Sequence, residues 1–97
     1  MKNSDNFLIG YAWYSCNQWV LLKASSADSQ DLEPTYDEWL PHATESFEKL
    51  KKEGYNIRKV EINVEDLIEW CRSQRIPLDG AARSRYAGEM ARIQDKK

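Results

Sequence analysis

The sequence is poor in the residues that build metal sites and disulfide frameworks. Its 97 residues include one histidine and two cysteines, Cys16 and Cys71, which are far apart and form no CxxC pair. Structural zinc sites use closely spaced groups of Cys and His, so we predict no metal site and no cofactor. The two cysteines are expected to be free thiols in a reducing cytoplasm.

Long apolar runs and glycine-rich loops are missing as well. The N-terminal MKNSDNFLIGYAWY has one lysine and an apolar run broken by Gly10, which is not the pattern of a signal peptide. No stretch approaches the ~20 apolar residues of a membrane span, so no membrane partner is predicted. The segment Asp79-Gly80-Ala81 fits a helix cap and first turn, not a phosphate-binding loop.

Candidate catalytic residues gain no support from their neighbours in the sequence. His42 follows Pro41 on the expected surface of a helix, where a solvated histidine is the simpler interpretation. Cys71 lies beside Trp70 in an apolar turn, which favours a buried, unreactive thiol. We therefore predict that the protein is not an enzyme.

What the chain does contain is aromatic residues and an uneven charge. Four Trp, five Tyr and two Phe supply one hydrophobic core, so residues 1–97 are predicted to form a single domain. The net charge is −2, but residues 1–70 carry −6 and residues 71–97 carry +4. This asymmetry is typical of a polyanion-binding segment, or of a domain whose basic end complements its own acidic body.

Two apolar runs near the N-terminus predict a β-hairpin. Residues 7–14, FLIGYAWY, show no helical period and form the first strand, and residues 18–23, QWVLLK, return as the second. Both strands are apolar on both faces, which indicates that both faces of the sheet are covered. Residues 24–34 are almost wholly polar and predict a surface loop.

A long amphipathic helix is predicted next. Thr35 caps it, and Glu38 reaches back in the capping-box arrangement. Apolar residues follow at spacings of three and four until Gly54 ends the helix. Pro41 removes one hydrogen bond inside this segment and is expected to kink or restart the helix.

The C-terminal half completes a predicted ββαβαα order. Residues 55–62 alternate as a third strand, Asn63 caps a helix over 64–74, and Asp79 caps a last helix. We expect an α+β two-layer sandwich with a three-stranded antiparallel sheet, in the order 2-1-3, under the long helix. If the two shorter helices leave the other sheet face open, its aromatic residues form a wet surface that a symmetric homodimer would bury.

The aromatic residues and one arginine give the leading functional hypothesis. It is a binding or assembly module, oligomeric, that accepts a small apolar or anionic ligand between aromatic walls. The residues expected at this ligand site or interface are Tyr11, Trp13, Trp19, Trp39, Trp70, Arg83 and Tyr86. The alternative for the aromatic residues is an ordinary core.

The basic C-terminal segment gives the second hypothesis, a nucleic-acid-associated regulator. The arginines that would hold phosphates are Arg72, Arg75, Arg83, Arg85 and Arg92. A solvated helix face is the simpler interpretation of these charges. A third interpretation turns Arg83 inward to hold a carboxylate, either on a ligand or on the acidic first turn of the preceding helix.

Residues 36–90 resemble a group of small bacterial proteins without a known activity. The stretches that carry the resemblance are YDEWLPHA, KKEGYNIRKVEI and EWCRSQRIPLDGAARSRYAGEM, and the shared elements are an EWL-type helix start, a strand after Gly, and W-C followed by D-G-x-A-R-x-x-Y-A. The resemblance implies that the matching residues form a structural hub or a site: Trp70, Cys71, Asp79, Gly80, Arg83, Tyr86 and Ala87. In size and character the chain is also similar to products of integron gene cassettes, which are often α+β oligomers.

Overall fold

The centre of the fold is a parallel pair of strands joined by a helical crossover. In the computed structural model, which describes residues 8–95, β1 (Ile9–Trp13) pairs with β2 (Ile57–Glu61) in parallel. The crossover contains α1 (Cys16–Ser25), a 3-10 turn (Ser29–Asp31) and α2 (Tyr36–Lys52). After β2 follow α3 (Val64–Gln74) and α4 (Gly80–Asp95). Phe7, which we assigned to the first strand, lies outside the described residues.

The predicted hairpin is wrong, because its second strand is a helix. α1 starts after Ser15, whose side chain accepts a hydrogen bond from the Gln18 N–H at 3.3 Å. Trp19 and Leu22, three residues apart, are the buried residues of this helix. The run QWVLLK is too short for its pattern to separate helix from strand, and the Ser15 cap favours the helix.

Loss of that strand changes the whole predicted topology. Residues 8–95 remain α+β, but they contain a two-stranded parallel sheet and four α-helices, not a three-stranded antiparallel sheet in the order 2-1-3. The ββαβαα order does not fit. A parallel pair needs a crossover connection, and α1 and α2 with the segment between them provide it.

Helices cover both faces of the sheet, so the predicted two-layer sandwich is also corrected. On one face, the Phe47 ring of α2 lies 6.0 Å from the ring of Tyr11 and 6.2 Å from that of Trp13. On the other face α4 approaches so closely that a Cβ on Gly10 would lie 2.2 Å from the Ala87 carbonyl oxygen. The covering of both faces, which the apolar pattern of β1 predicted, is confirmed.

This covering removes the physical reason we gave for a dimer through the sheet. Trp13 lies under α2, and Trp19 belongs to α1 with an exposed fraction of 2%. In residues 8–95 no sheet face is left open for a second copy. The homodimer stays a prediction without that support.

The predicted starts of the last three helices are confirmed. Each predicted capping side chain accepts a hydrogen bond from the backbone N–H three residues later, at 2.9–3.2 Å: Thr35 for α2, Asn63 for α3 and Asp79 for α4. α2 continues through Pro41 as one helix, so the predicted restart does not occur. Gly54, with φ of +99°, follows its end as predicted. None of the helices in residues 8–95 is long and apolar enough to cross a membrane.

The polar segment between α1 and α2 is anchored at both of its sides. Lys23 Nζ donates to the carbonyls of Ser29 at 2.8 Å and Leu32 at 3.3 Å, and the Ser29 hydroxyl donates to the Lys23 carbonyl. The Ala27 N–H donates to the Leu78 carbonyl, just before α4, at 2.8 Å. These bonds hold the segment against α1 and against the N-terminus of α4.

Candidate functional site

A cleft of about 560 Å³ follows β1 on the side away from β2. Five consecutive residues, 8–12, line its floor, and none of its described lining residues belongs to β2. One wall is α4, through Gly80, Arg83, Ser84 and Gly88. The opposite wall consists of Tyr14, Trp19, Leu22, Leu32, Glu33 and Trp39. We call this the β1-edge cleft.

The aromatic wall of the cleft belongs to a larger cluster of seven rings. Trp19 stacks on Trp39, with ring centroids 5.0 Å apart and planes at 23°, and Trp13 lies 5.2 Å from Trp39. The other members are Tyr11, Tyr14, Tyr36 and Phe47, all in edge or tilted contacts. Each such pair contributes about 0.5–1.5 kcal/mol beyond its burial, so the cluster is both core and rigid wall.

The structure brings together four of the seven residues predicted for the ligand site. Tyr11, Trp19, Trp39 and Arg83 all line the β1-edge cleft. Trp13 lies behind the wall, with the ammonium of Lys59 4.1 Å from its ring centroid.

The remaining two predicted residues lie elsewhere. Trp70 and Tyr86 pair with each other between α3 and α4, with ring centroids 5.3 Å apart, and do not line the cleft. The guanidinium of Arg85 lies 5.2 Å from the Trp70 ring. A common site of all seven residues is therefore not formed.

Arg83 turns inward and holds a carboxylate, as the third interpretation of the sequence proposed, but the carboxylate is that of Asp28. Nη1 and Nη2 each donate to one Asp28 oxygen at 2.8 Å, and Nη1 also donates to the Ser26 hydroxyl at 3.3 Å. The side chains are 13% and 22% exposed, so water screens the pair only partly. The hydrogen bond from Arg83 lowers the pKa of Asp28, and the same bond raises the pKa of Arg83.

Two further polar groups in the aromatic wall have unusual surroundings. Burial raises the pKa of Tyr14 to about 12, although the nearby Arg83 charge opposes this, so its hydroxyl is a neutral donor at ordinary pH. Trp19 Nε1 is buried, and no described residue accepts its hydrogen. At the outer rim, Glu33 contacts His42, with 2.9 Å between Oε2 and Nδ1.

The two candidate catalytic residues, His42 and Cys71, lie on different helices with different surroundings. His42 is exposed on α2 with its ring against Glu33, while Cys71 is buried in α3, where burial raises its pKa. Cys16 and Cys71 are both free, as expected. Residues 8–95 contain no group of three or more His, Cys, Asp or Glu side chains that could hold a metal ion.

The arginines proposed for nucleic acid are partly engaged within the chain. Arg83 binds Asp28, Arg72 contacts Glu69 at 2.7 Å, and Arg85 contacts Glu89 at 3.7 Å as well as the Trp70 ring. Arg75 ends α3 with a left-handed backbone, φ +59°. Arg92 is exposed near the end of α4. The phosphate-binding hypothesis stays a prediction, and no contact in this region favours it.

Sequence reasoning missed the residues that shape the cleft most. Asp28 and Glu33 fell in a predicted surface loop, Ser84 and Gly88 were assigned no role, and Gly80 was named only in a helix start and through the resemblance. The four-residue spacing of Gly80, Ser84 and Gly88 was a detectable signal, because residues at i, i+4 and i+8 share one face of a helix. No signal in the sequence paired Asp28 with Arg83, which are 55 residues apart.

No known protein family, curated protein or solved structure matches the chain. The resemblance of residues 36–90 to small bacterial proteins therefore remains an expectation from the sequence.

Proposed function

We propose that this protein is a non-catalytic binding module whose ligand site is the β1-edge cleft. The observation that carries the proposal is the combination of volume and lining in one place. At about 560 Å³ the cleft falls within the usual range of ligand sites, and it joins a rigid aromatic wall to a few fixed polar groups. Binding sites typically combine these two features, because apolar walls supply affinity and polar groups set orientation.

The charge of the cleft narrows the class of ligand. The sequence suggested an apolar or an anionic ligand, with Arg83 as the anion partner. In the structure Asp28 already neutralises Arg83, and Glu33 adds a carboxylate at the rim. A second anion would meet no net positive charge, so a largely apolar, uncharged ligand fits the cleft better than an anionic one.

The small residues of α4 leave space for such a ligand. An added Cβ at Gly88 would approach only Arg92, whose Nη1 lies 3.7 Å away, so this wall is open in front of the glycine. A larger side chain at Gly88 would therefore fill the cleft without a clash. It would also favour the helix, because glycine costs about 1 kcal/mol relative to alanine in a helix interior.

The proposal is tested with amide NMR spectra of the whole chain and a set of small aromatic fragments such as indole, phenol and benzamide. We expect shifts of the Gly10, Gly80 and Gly88 amides and of the Trp19 indole signal. Gly88→Leu should abolish these shifts. Ala81→Leu, which adds the same side chain at an exposed α4 position outside the cleft, should keep them.

Two results would contradict the proposal. One is fragment binding that is equal in both leucine variants. The other is binding confined to the groove of about 470 Å³ between α1 and the start of α2, which Val20 and Tyr36 line. A site there would make the β1-edge cleft a packing feature only.

A further inference from the structure

The free edge of β1 presents unpaired backbone groups to the cleft. The Ile9 N–H donates to the Asn56 carbonyl at 2.8 Å, and the Trp13 carbonyl accepts from the Ile62 N–H at 2.9 Å. In a parallel ladder alternate residues of a strand bond to the same neighbour, so Ile9, Tyr11 and Trp13 face β2. The N–H and C=O groups of Gly10 and Ala12 consequently point the other way, where no described residue pairs with them.

The two edges of the sheet differ in how they are protected. β2, IRKVE, has charged side chains at three of its five positions, which is a common way to prevent a strand edge from pairing with another chain. β1, IGYAW, has none. An uncharged edge with unpaired backbone groups is a template for an additional strand.

The walls of the cleft decide which kind of strand can reach this edge. α4 stands on one side, and the segment containing Leu32 and Trp39 stands on the other. In a second copy of the chain, β1 would lie at the floor of an identical cleft, so the walls of the two copies would meet before their strands could pair. A single extended segment with no walls of its own can enter.

From these observations we propose that the β1-edge cleft accepts an extended peptide segment of another protein, which pairs with Gly10 and Ala12 as a third strand of the sheet. This inference rests on the binding module proposed above and names its ligand class. Paired strands both rise ~3.3 Å per residue, so a peptide that pairs along the five residues of β1 is itself about five residues long.

The two walls set different requirements on alternate side chains of the peptide. Side chains of a strand point alternately to the two faces of its sheet. Those that point towards Trp19 and Trp39 meet aromatic rings and should be apolar. Those that point towards α4 meet Gly80, Ser84 and Gly88, so this side accommodates larger residues. The expected sequence therefore alternates, with an apolar residue at every second position.

The experiment uses the whole chain and a pool of acetylated, amidated hexapeptides in which Val, Leu, Phe or Trp alternates with Thr. Binding is measured by calorimetry and by shifts of the Gly10 and Ala12 amides. The best peptide is then made with N-methyl groups on its odd or on its even residues. In a third strand, the N–H groups of only the odd or only the even residues of the peptide face β1. N-methylation of that set should weaken binding about tenfold, and N-methylation of the other set should leave binding about as strong as that of the parent peptide.

A protein variant tests the same bond from the other side. Ala12→Pro removes a backbone donor that faces the cleft, and proline is tolerated at edge positions whose N–H does not serve the ladder. Peptide affinity should fall about tenfold while the β1–β2 pair remains. If this variant fails to fold, the N-methyl peptides decide the question on the unmodified protein.

Several outcomes would overturn the inference, and they separate it from the proposed function. Equal binding of both N-methyl registers would exclude strand pairing. Fragments that bind in the cleft when no hexapeptide does would leave the binding module intact and reject the peptide. A chain that is dimeric in solution and becomes monomeric on Ala12→Pro would identify a second copy as the occupant. If neither fragments nor peptides bind, both proposals fail.

Discussion

Breaking the ion pair between Arg83 and Asp28 should lower the free energy of unfolding by more than the loss of an ordinary surface ion pair does. The pair joins the segment after α1 to the first turn of α4 through two parallel hydrogen bonds of 2.8 Å. The perturbation is a double-mutant cycle of Asp28→Ala, Arg83→Ala and the double variant. The cycle isolates the energy of the pair from the other effects of each substitution.

The expected coupling energy follows from the exposure of the pair. Exposed ion pairs contribute about 0.2–1 kcal/mol, and breaking a fully buried one costs about 3–5 kcal/mol. With side chains 13% and 22% exposed and bidentate geometry, the pair lies between these limits, at about 2 kcal/mol. Each 1 kcal/mol shifts the melting temperature of a domain this size by about 4–8 °C, so loss of the coupling energy alone should lower the melting temperature of either single variant by ~10 °C.

The chain offers a matched control for this measurement. Arg72 and Glu69 form an Arg–carboxylate contact of 2.7 Å, almost the same distance, but their side chains are 70% and 69% exposed. The same cycle there should give less than about 0.5 kcal/mol. Urea denaturation at pH 7 in low and high salt measures both. Equal coupling energies for the two pairs would refute the argument from burial.

The pH dependence of the pair has a definite sign. The pKa of Asp28 is lowered in the folded state, so the folded protein binds this proton more weakly than the unfolded chain does. The stability from the pair is complete above the pKa of an unfolded Asp, about 4, and is lost as the pH falls through the lower folded value. Asp28→Ala should therefore lose less stability than the native chain as the pH falls below about 4.

Three other changes have clear expected outcomes. Gly10→Ala should cost about 1–3 kcal/mol or more in urea denaturation, since its Cβ would lie 2.2 Å from the Ala87 carbonyl oxygen; an unchanged midpoint would show that β1 and α4 can separate freely. Gly88→Ala, whose Cβ would meet only the Arg92 guanidinium at 3.7 Å, should gain up to about 1 kcal/mol, and a loss would contradict the open wall. The pKa of Tyr14 is raised to about 12 in the folded protein, so the contribution of its neutral hydroxyl to stability is complete below pH 10, which is the pKa of an unfolded tyrosine. That contribution is lost as the pH rises to 12. Melting temperatures of Tyr14→Phe should fall less steeply over that window, and parallel curves would argue against burial of the hydroxyl.

The elements that the sequence predicted correctly are those with local chemical markers. α3 was predicted over 64–74 because Asn63 and the following acidic residues mark a helix start, and the structure has that range. Thr35 and Asp79 were recognised in the same way. These features depend on hydrogen bonds between residues three apart, so no tertiary information was needed.

The errors concern elements whose identity depends on tertiary packing. QWVLLK is helical because Trp19 and Leu22 face the core from one side of α1, while Val20 is 64% exposed. The apolar pattern alone allows strand and helix, and the strand was the wrong choice. That single error made the predicted sheet antiparallel, because a hairpin strand after β1 reverses the chain direction once more before the strand at 55–62.

Prediction of the cleft was limited in the same way. The expectation that Arg83 holds a carboxylate came from its place four residues after the cap Asp79, and only the partner was wrong. The six aromatic residues of the predicted site were treated as one set, but Trp70 and Tyr86 pack on each other and away from the cleft. Composition identifies aromatic residues without showing which of them meet.

If the β1-edge cleft binds a ligand as proposed, stability and binding should be linked through α4. Arg83 ties the N-terminal turn of α4 to Asp28, and Ala27 is bonded to the Leu78 carbonyl just before that turn. Both contacts fix the distance between the α4 wall and the segment that leads into the aromatic wall. A ligand in the cleft would contact both walls at once. It should therefore bind more tightly, and raise the free energy of unfolding more, when these two contacts hold the walls in place than when one of them is removed. If the proposed site is correct, Arg83→Ala should weaken binding although the ligand has no charge for Arg83 to recognise. Arg72→Ala, outside the cleft, should not.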